Sequence, residues 1–278
     1  MTYKTILTHV DSFQPSTAHI EFAAELASTH ESHLIGLCPS GFASLPAGDY
    51  FGASARYVGE MQQELDDAAV EASKVFEAQC KKTGISSYES RVTTDSVISA
   101  TLLGAVFADL IVVSQPAEDA AKTIAGPGFV GDLLMDSRRP VLVLPNNGAL
   151  KPVAGKAVVA WNGSREAARA VTDAMPLLAR AAEVEVIVVN SREQGAGDNE
   201  LPGAELGLFL ARHGIKVVVR DVVANTSVSD AILNEVEAAN ADLLVMGGYG
   251  HSRIREWVLG GTTREILAAT GVPVLMSH

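Results

Sequence analysis

The sequence has few cysteines, few aromatic residues and no long apolar run. Among its 278 residues there are two cysteines, and 5% of the residues are aromatic. Two cysteines build neither a disulfide framework nor a cysteine-rich metal site, so Cys38 and Cys80 are expected to be small thiols, buried or half-buried. No apolar run approaches the roughly 18 residues of a membrane-spanning helix. We therefore expect a soluble, cytoplasmic protein that does not bind membranes.

Positive charge is also scarce. The chain carries 21 Lys and Arg against 33 Asp and Glu, a formal net charge of −12. The negative electrostatic field of such a protein repels phosphate backbones and anionic lipids, which argues against nucleic acid as a partner. By contrast, 47% of the residues are hydrophobic, enough for sizeable cores. This balance is typical of α/β proteins, whose parallel strands are buried on both faces.

The two halves of the chain repeat each other. Residues 108–116 read ADLIVVSQP and residues 241–249 read ADLLVMGGY, an offset of 133. The first strands of the halves align at a larger offset, 151, because the first half holds about 18 extra residues in a Pro/Gly/Ser-rich stretch. The repeat predicts two domains, 1–147 and 148–278, with a turn-rich linker between them.

Short apolar runs alternate with segments of helical spacing, most clearly in the second half. Continuous apolar runs separated by helices predict parallel, doubly wound sheets with right-handed crossovers. Ligands bind such sheets beyond the carboxyl ends of the strands, so we expect the site there. The predicted strands are 156–161, 184–190, 216–223, 243–246 and 273–276, and the predicted helices are 165–181, 204–213, 229–239 and 262–270.

The most informative motif follows the predicted strand 243–246. It reads G-x-x-G from residue 247, then nine further residues, then G-G-T-T from residue 260, where a helix is predicted to begin. Glycine lets a backbone approach a ligand closely, and a helix N-terminus offers free N–H groups to phosphate. Turn glycines without a ligand are the alternative, but two clusters at strand–helix junctions favour a phosphate site.

This motif, with the preceding ADLLVMG, the closing GVPVLM and the segment Trp161–Ala167, resembles the universal stress protein family. The resemblance covers essentially the whole chain and is stronger over 155–278 than over 1–145. It implies two tandem domains of the adenine-nucleotide α-hydrolase-like α/β fold, each a doubly wound, five-stranded parallel sheet flanked by helices. It also implies a stress-response regulatory protein and, as in one subgroup, bound ATP, with or without Mg²⁺.

The resemblance also implies which residues hold the nucleotide. Asn162 stands where the family usually has an aspartate that reads adenine, and Gly261 stands where Ser or Thr usually contacts a terminal phosphate. Thr262 or Thr263 is expected to supply the missing hydroxyl. The expected nucleotide-binding residues are Ala160, Trp161, Asn162, Val189, Met246, Gly247, Gly250, Gly260, Gly261, Thr262 and Thr263.

The first half departs from this pattern. At the offset of 133, Ser114, Ala117 and Pro127 replace the three motif glycines, so its phosphate loop is expected to be degenerate. Asp11 keeps the aspartate that the second half has lost. Among the histidines, His9, two residues before Asp11, is the best candidate to line a site.

Enzyme signatures are absent, and the sequence assigns no catalytic or metal-binding residue. It contains no P-loop, no G-x-S-x-G elbow and no H-E-x-x-H, and G-x-G-x-x-G follows the first strand of neither half. The preferred hypothesis is a protein that binds an adenine nucleotide in its C-terminal domain and acts on an unknown protein partner. The alternatives are a nucleotide-free scaffold and a slow ATPase, and the chain is expected to be a monomer or a homodimer.

Overall fold

A computed structural model of the chain describes residues 2–43, 55–116, 123–126, 128–147, 150, 155–190, 203–249 and 261–278. Contacts within the chain group into two compact units. The first unit is Tyr3–Ser137, and the second unit is formed by Arg138–His278 together with Thr2. The repeat in the sequence predicts a domain boundary after residue 147, and this boundary stays a prediction.

The first unit is a parallel sheet with helices between its strands. Its described strands lie in the order β3-β2-β1-β4, with every pair parallel. Serine N-caps accept a hydrogen bond from the N–H three residues later at the starts of α1 and α3, which defines where these helices begin. The elements are β1 Thr5–His9, α1 Thr17–His30, β2 His33–Pro39, α2 Ala55–Thr83, β3 Tyr88–Thr93, α3 Val97–Ala105, β4 Leu110–Ser114 and α4 Phe129–Asp136.

The second unit has the same parallel arrangement with two strands added. Its parallel strands lie in the order β10-β9-β6-β7-β8, and β5 pairs with β10 in the antiparallel sense. The expected α/β fold with parallel strands and flanking helices is confirmed. The elements are β5 Val141–Leu144, β6 Lys156–Ala160, α5 Arg165–Leu178, β7 Glu183–Val189, α6 Ala204–Arg212, β8 Val217–Val222, α7 Val228–Ala238, β9 Leu243–Gly247, α8 Gly261–Ala269 and β10 Val274–Ser277.

Strand β5 differs in its place from the expected fifth parallel strand of the first domain. By its contacts it belongs to the second unit, where Leu142 is paired with Leu275 of β10. These two leucines are equivalent in the repeat, at the offset of 133. All four residues of β5 and of β10 are buried. The antiparallel pairing therefore joins two equivalent apolar strands and satisfies their backbone groups away from water.

Two sequence expectations about burial can be checked directly. No helix in the described ranges is both long and apolar enough to cross a membrane. Cys38 of β2 and Cys80 of α2 are free and fully buried. Burial raises the pKa of both thiols to about 12, and for Cys80 the charge of Glu77 adds to the effect. The expected buried thiols are confirmed, and both lie in the first unit.

Candidate functional site

The strand order of the second unit places its switch point between β6 and β9. The first parallel strand, β6, has β7 on one side and β9 on the other, and a crevice forms at the carboxyl ends of such strands. Ala160 and Met246 are direct register partners there. Trp161, the residue after β6, stays hydrogen-bonded to β7, because its N–H donates to the carbonyl oxygen of Ile187 at 2.9 Å. Thus Ala160, Trp161, Met246 and the following Gly247, four of the predicted nucleotide-binding residues, lie together at this edge of the sheet.

The neighbouring strand end holds Val189, the last residue of β7, with its side chain buried. The next residue, Asn190, was not singled out by the sequence reading, yet it organises this edge. It adopts a left-handed φ of 50°. Its side-chain amide accepts from the N–H of Ala224 at 2.9 Å and donates to the carbonyl of Ala224 at 3.1 Å. An asparagine just after a buried strand is the available sequence signal, since Asn tolerates this conformation.

Asn162 lies just beyond β6, and its side chain is exposed. Its Oδ1 accepts a hydrogen bond from the N–H of Ser164 at 3.1 Å, and Ser164 in turn caps α5 by accepting from the N–H of Ala167 at 3.1 Å. The amide oxygen thus accepts one hydrogen bond within the local turn and can accept a second, while the amide nitrogen can only donate.

The first turn of α8 carries the predicted Gly261, Thr262 and Thr263. Thr263 is buried, and its hydroxyl accepts from the N–H of Tyr249 at 3.3 Å. Tyr249 has a left-handed φ of 53°, so this hydrogen bond helps to hold a strained residue after β9. Thr262 is half-buried and is the better placed of the two threonines to offer a hydroxyl to a ligand. Gly250 and Gly260 lie outside the described residues.

Gly247 is needed for packing, whatever it does for a ligand. A Cβ on this residue would lie 2.6 Å from the amide nitrogen of Ala167 and 2.8 Å from the carbonyl carbon of Glu166. Both atoms belong to the backbone of the first turn of α5. The absence of a side chain at Gly247 therefore lets α5 lie directly on the end of β9, beside the switch point.

An acidic side chain that the sequence reading missed lies beside the start of α8. Glu265 accepts a hydrogen bond from the hydroxyl of Ser229, which lies 2.9 Å from the hydroxyl of Ser227. Its Oε1 is 3.7 Å from the position of a Cβ on Gly261. The positive end of the helix dipole favours a carboxylate at this place. No local pattern in the sequence singles out Glu265, because its partner Ser229 lies 36 residues earlier in the chain.

In the first unit, the equivalent position after β1 is already hydrogen-bonded to other residues of the same chain. Oδ1 of Asp11 accepts from the N–H groups of Phe13 at 2.9 Å and Gln14 at 3.2 Å. Oδ2 of Asp11 accepts from the hydroxyl of Thr123 and from the N–H of Ile124 at 3.1 Å. Both oxygens of the aspartate retained in this half are thus engaged with the protein.

His9, at the end of β1, is buried, with 8% of its surface exposed. Its ring lies 5.1 Å from the ring of Phe129, the first residue of α4, and its Nε2 bonds to no residue that the structure describes. Burial lowers the pKa of His9 to about 4, although the nearby charge of Asp11 acts in the opposite direction. At neutral pH the imidazole is uncharged, which suits a core position better than an anion site.

We expect the first unit to lose stability as the pH falls from about 6.5 to about 4 because of His9. The unfolded chain binds a proton near pH 6.5, whereas the folded chain binds it only near pH 4. At pH 5 the loss is about 2 kcal/mol relative to pH 7. Urea unfolding followed by circular dichroism at both pH values should show this loss in the wild type and not in His9→Leu. The exposed His213→Gln serves as a control, and an equal loss in His9→Leu would contradict the assignment.

A cavity of about 340 Å³ lies elsewhere in the second unit. It is bordered by the last turns of α7 and by the residues that precede β9 and β10. These are the amino ends of the strands, opposite to the switch point, so the cavity is not the predicted site. Its lining is Leu233, Val236, Glu237, Asn240, Ala241, Asp242, Ala269, Gly271, Val272 and Pro273.

Comparison with known proteins agrees with this geometry. The model of the universal stress protein family matches residues 154–278, which include β6 to β10 and the switch point. This segment is a universal stress protein domain. A curated universal stress protein of Synechocystis sp. is 42% identical over 66 residues, which make up 24% of this chain and 22% of the relative.

Solved structures extend the likeness of the fold beyond the universal stress protein domain. A universal stress protein from Archaeoglobus fulgidus aligns over 98% of this chain and 97% of its own, with a TM-score of 0.71 and 19% identity. A functionally unknown protein from Pseudomonas aeruginosa aligns over 99% of this chain and 92% of its own, with a TM-score of 0.60 and 15% identity. At these identities the likeness concerns the fold, and it covers both halves of the chain.

Proposed function

We propose that the second unit binds an adenine nucleotide, with ATP as the first ligand to test, and that the protein acts as a stress-response regulator. The observation that carries the proposal is the meeting of Ala160, Trp161, Met246 and Gly247 at the switch point of a parallel sheet. The start of α8 adds the backbone N–H groups of a first helical turn and the half-buried hydroxyl of Thr262 for phosphates. The match to the universal stress protein family adds support, because this resemblance implies bound ATP in one subgroup.

The first unit is expected not to bind nucleotide. Its Asp11 carboxylate already accepts hydrogen bonds from Thr123 and Ile124, so a ligand would have to displace part of the chain. Displacement would leave these donors to find new acceptors, which costs free energy. We therefore propose one nucleotide for each chain.

Isothermal titration of the full chain with ATP tests this proposal. We expect one site, and we expect the nucleotide to raise the melting temperature of the second unit, because a ligand that binds only the folded state stabilises it. Gly250→Val should abolish binding, since the motif requires glycine at this position. Gly271→Val is the matched control: it changes the same residue type at the amino edge of the sheet, where a Cβ would meet no atom within 4 Å.

Two outcomes would overturn the proposal. Failure of ATP, ADP and AMP to bind the wild type would favour the nucleotide-free scaffold. Binding of two nucleotides per chain would show that the first unit also binds nucleotide. Turnover of bound ATP that Gly250→Val removes would add a slow ATPase activity to the binding function.

A further inference from the structure

A serine and a histidine form a close pair at the carboxyl edge of the first sheet. Ser114 is the last residue of β4, and His19 is the third residue of α1. The hydroxyl of Ser114 lies 2.7 Å from Nδ1 of His19, and both residues are half-buried. This distance lies within the range that joins a nucleophile to its general base. When the hydroxyl donates, Nδ1 is in position to take its proton.

The pair lies at the switch point of the first unit. Strand β1 has β2 on one side and β4 on the other, so a crevice forms where the carboxyl ends of β1 and β4 meet their diverging connections. Ligands of open α/β sheets bind in such a crevice. A half-buried hydroxyl at this place is sheltered from bulk water and is still within reach of a small molecule.

The second unit has neither side chain at the equivalent place. At the offset of 133, Ser114 corresponds to Gly247. The N-cap serines of α1 and α5 each accept from the N–H three residues later, which makes His19 correspond to Ala167. Gly247 lies against the backbone of Ala167, where a Cβ would be 2.6 Å from the amide nitrogen. The first unit therefore adds a hydroxyl and an imidazole at a contact that the second unit makes with backbone atoms.

We propose that Ser114 and His19 form a nucleophile–base pair that hydrolyses small carboxylic esters. Oγ of Ser114 bonds to the ester carbonyl carbon while its proton passes to Nδ1 of His19, and the alcohol leaves with that proton. Water then attacks the acyl-serine, again giving a proton to His19, and the acid is released as the serine hydroxyl is restored. Esters fit the pair because an alcohol leaves more readily than the amine of a peptide bond.

The start of α1 supplies donors for the charge that develops in this reaction. Thr17 and Ala18 occupy the first two positions of the helix, so their N–H groups have no acceptor within it. They lie in the same turn as His19. Backbone N–H groups at a helix N-terminus stabilise negative charge on a reacting carbonyl oxygen. The activity belongs to the first unit and does not depend on the proposed nucleotide site in the second.

A fluorophosphonate probe tests the pair in the full-length protein. The probe forms a P–O bond with Oγ of an activated serine and releases fluoride, and mass spectrometry of the digested protein identifies the serine. The chain itself holds a comparison, since Nδ1 of His33 lies 2.9 Å from the hydroxyl of Ser87 in a pair exposed to solvent at the amino edge of the same sheet. We expect the probe to label Ser114 at least about a hundredfold faster than Ser87, the usual scale of general-base catalysis.

His19→Gln keeps a hydrogen-bonding side chain but removes the base, so it should slow the labelling of Ser114 by about a hundredfold. Ser114→Ala should abolish the hydrolysis of p-nitrophenyl acetate, and His33→Gln should change neither reaction. Melting temperatures verify that the variants fold. Labelling of Ser114 no faster than that of Ser87 in the wild type would overturn the proposal without any variant. Labelling that His19→Gln retains, or ester hydrolysis that Ser114→Ala retains, would also overturn it and leave the pair as a tie between β4 and α1.

Discussion

Gly247→Ala is expected to destabilise the second unit by about 3 kcal/mol, the upper part of the range for overpacking a well-packed site. The added Cβ would lie 2.6 Å from the amide nitrogen of Ala167 and 2.8 Å from the carbonyl carbon of Glu166. These are backbone atoms, and they cannot turn away as a flexible side chain would. Relief of the clash requires α5 to move off the end of β9, and nucleotide affinity should fall because Trp161 and Asn162 lead into α5.

Urea unfolding followed by tryptophan fluorescence measures this effect in the correct unit, because both tryptophans, Trp161 and Trp257, lie after residue 138. Gly261→Ala is the matched control. Its Cβ would be 3.7 Å from Oε1 of Glu265, an ordinary contact, so its unfolding free energy should stay within about 1 kcal/mol of the wild type. If Gly247→Ala unfolds at the wild-type urea concentration, the close approach of α5 is not required.

The contrast between these glycines shows where sequence reasoning stops. The spacing of the motif identified Gly247 and Gly261 equally as residues beside a ligand. A sequence shows that a side chain is missing but not which atoms occupy the space. At Gly247 the neighbour is the backbone of a helix about 80 residues earlier in the chain, and only the fold brings it there.

The fold itself could be predicted well in the second half. All nine helices and strands predicted there are present, and α5 ends at Leu178 where the spacing suggested 181. Continuous apolar runs reveal the buried strands β6, β9 and β10, whereas the similar run of β8 forms an edge strand that is partly exposed. The serine caps at Ser164 and Ser227 define helix starts. The antiparallel pairing of β5 could not be predicted, because an apolar strand is compatible with a partner in either direction.

The contacts of Asp11 were also beyond the sequence. Its partners Thr123 and Ile124 lie 112 and 113 residues away, and no local pattern links them to it. The same holds for the burial of His9, which a strand-end position did not reveal. In both cases the residue type suggested a ligand site, while tertiary contacts within the first unit gave it an internal partner or a buried position.

A cluster of charges on β6, β7 and β8 supports the second unit away from the switch point. Glu185 of β7 is buried, with 4% of its surface exposed. Its carboxylate lies 3.1 Å from Nζ of Lys156 and 2.5 Å from a terminal nitrogen of Arg220. Hydrogen bonds to Glu185 and then to Glu183 raise the pKa of Lys156 above its ordinary value. The two cations together neutralise a carboxylate that water scarcely reaches.

Replacing both Lys156 and Arg220 with methionine should therefore destabilise the second unit by about 3–5 kcal/mol at pH 7, because it leaves the buried charge of Glu185 uncompensated. Adding Glu185→Leu to the double variant should restore most of the loss, since well-packed apolar residues replace such clusters at little cost. Urea unfolding followed by tryptophan fluorescence gives all three free energies.

Lys216→Met is the control for the loss of a surface cation. Its Nζ lies 2.7 Å from Glu183, but its side chain is 71% exposed, so the change should be below about 1 kcal/mol. If the double variant is no less stable than Lys216→Met, water must reach Glu185 and the carboxylate needs no partner. If Glu185→Leu fails to rescue the double variant, the lost stability comes instead from the packing of the Lys156 and Arg220 stems on the sheet. The recovery on removing Glu185 thus separates the cost of a buried charge from the cost of lost packing.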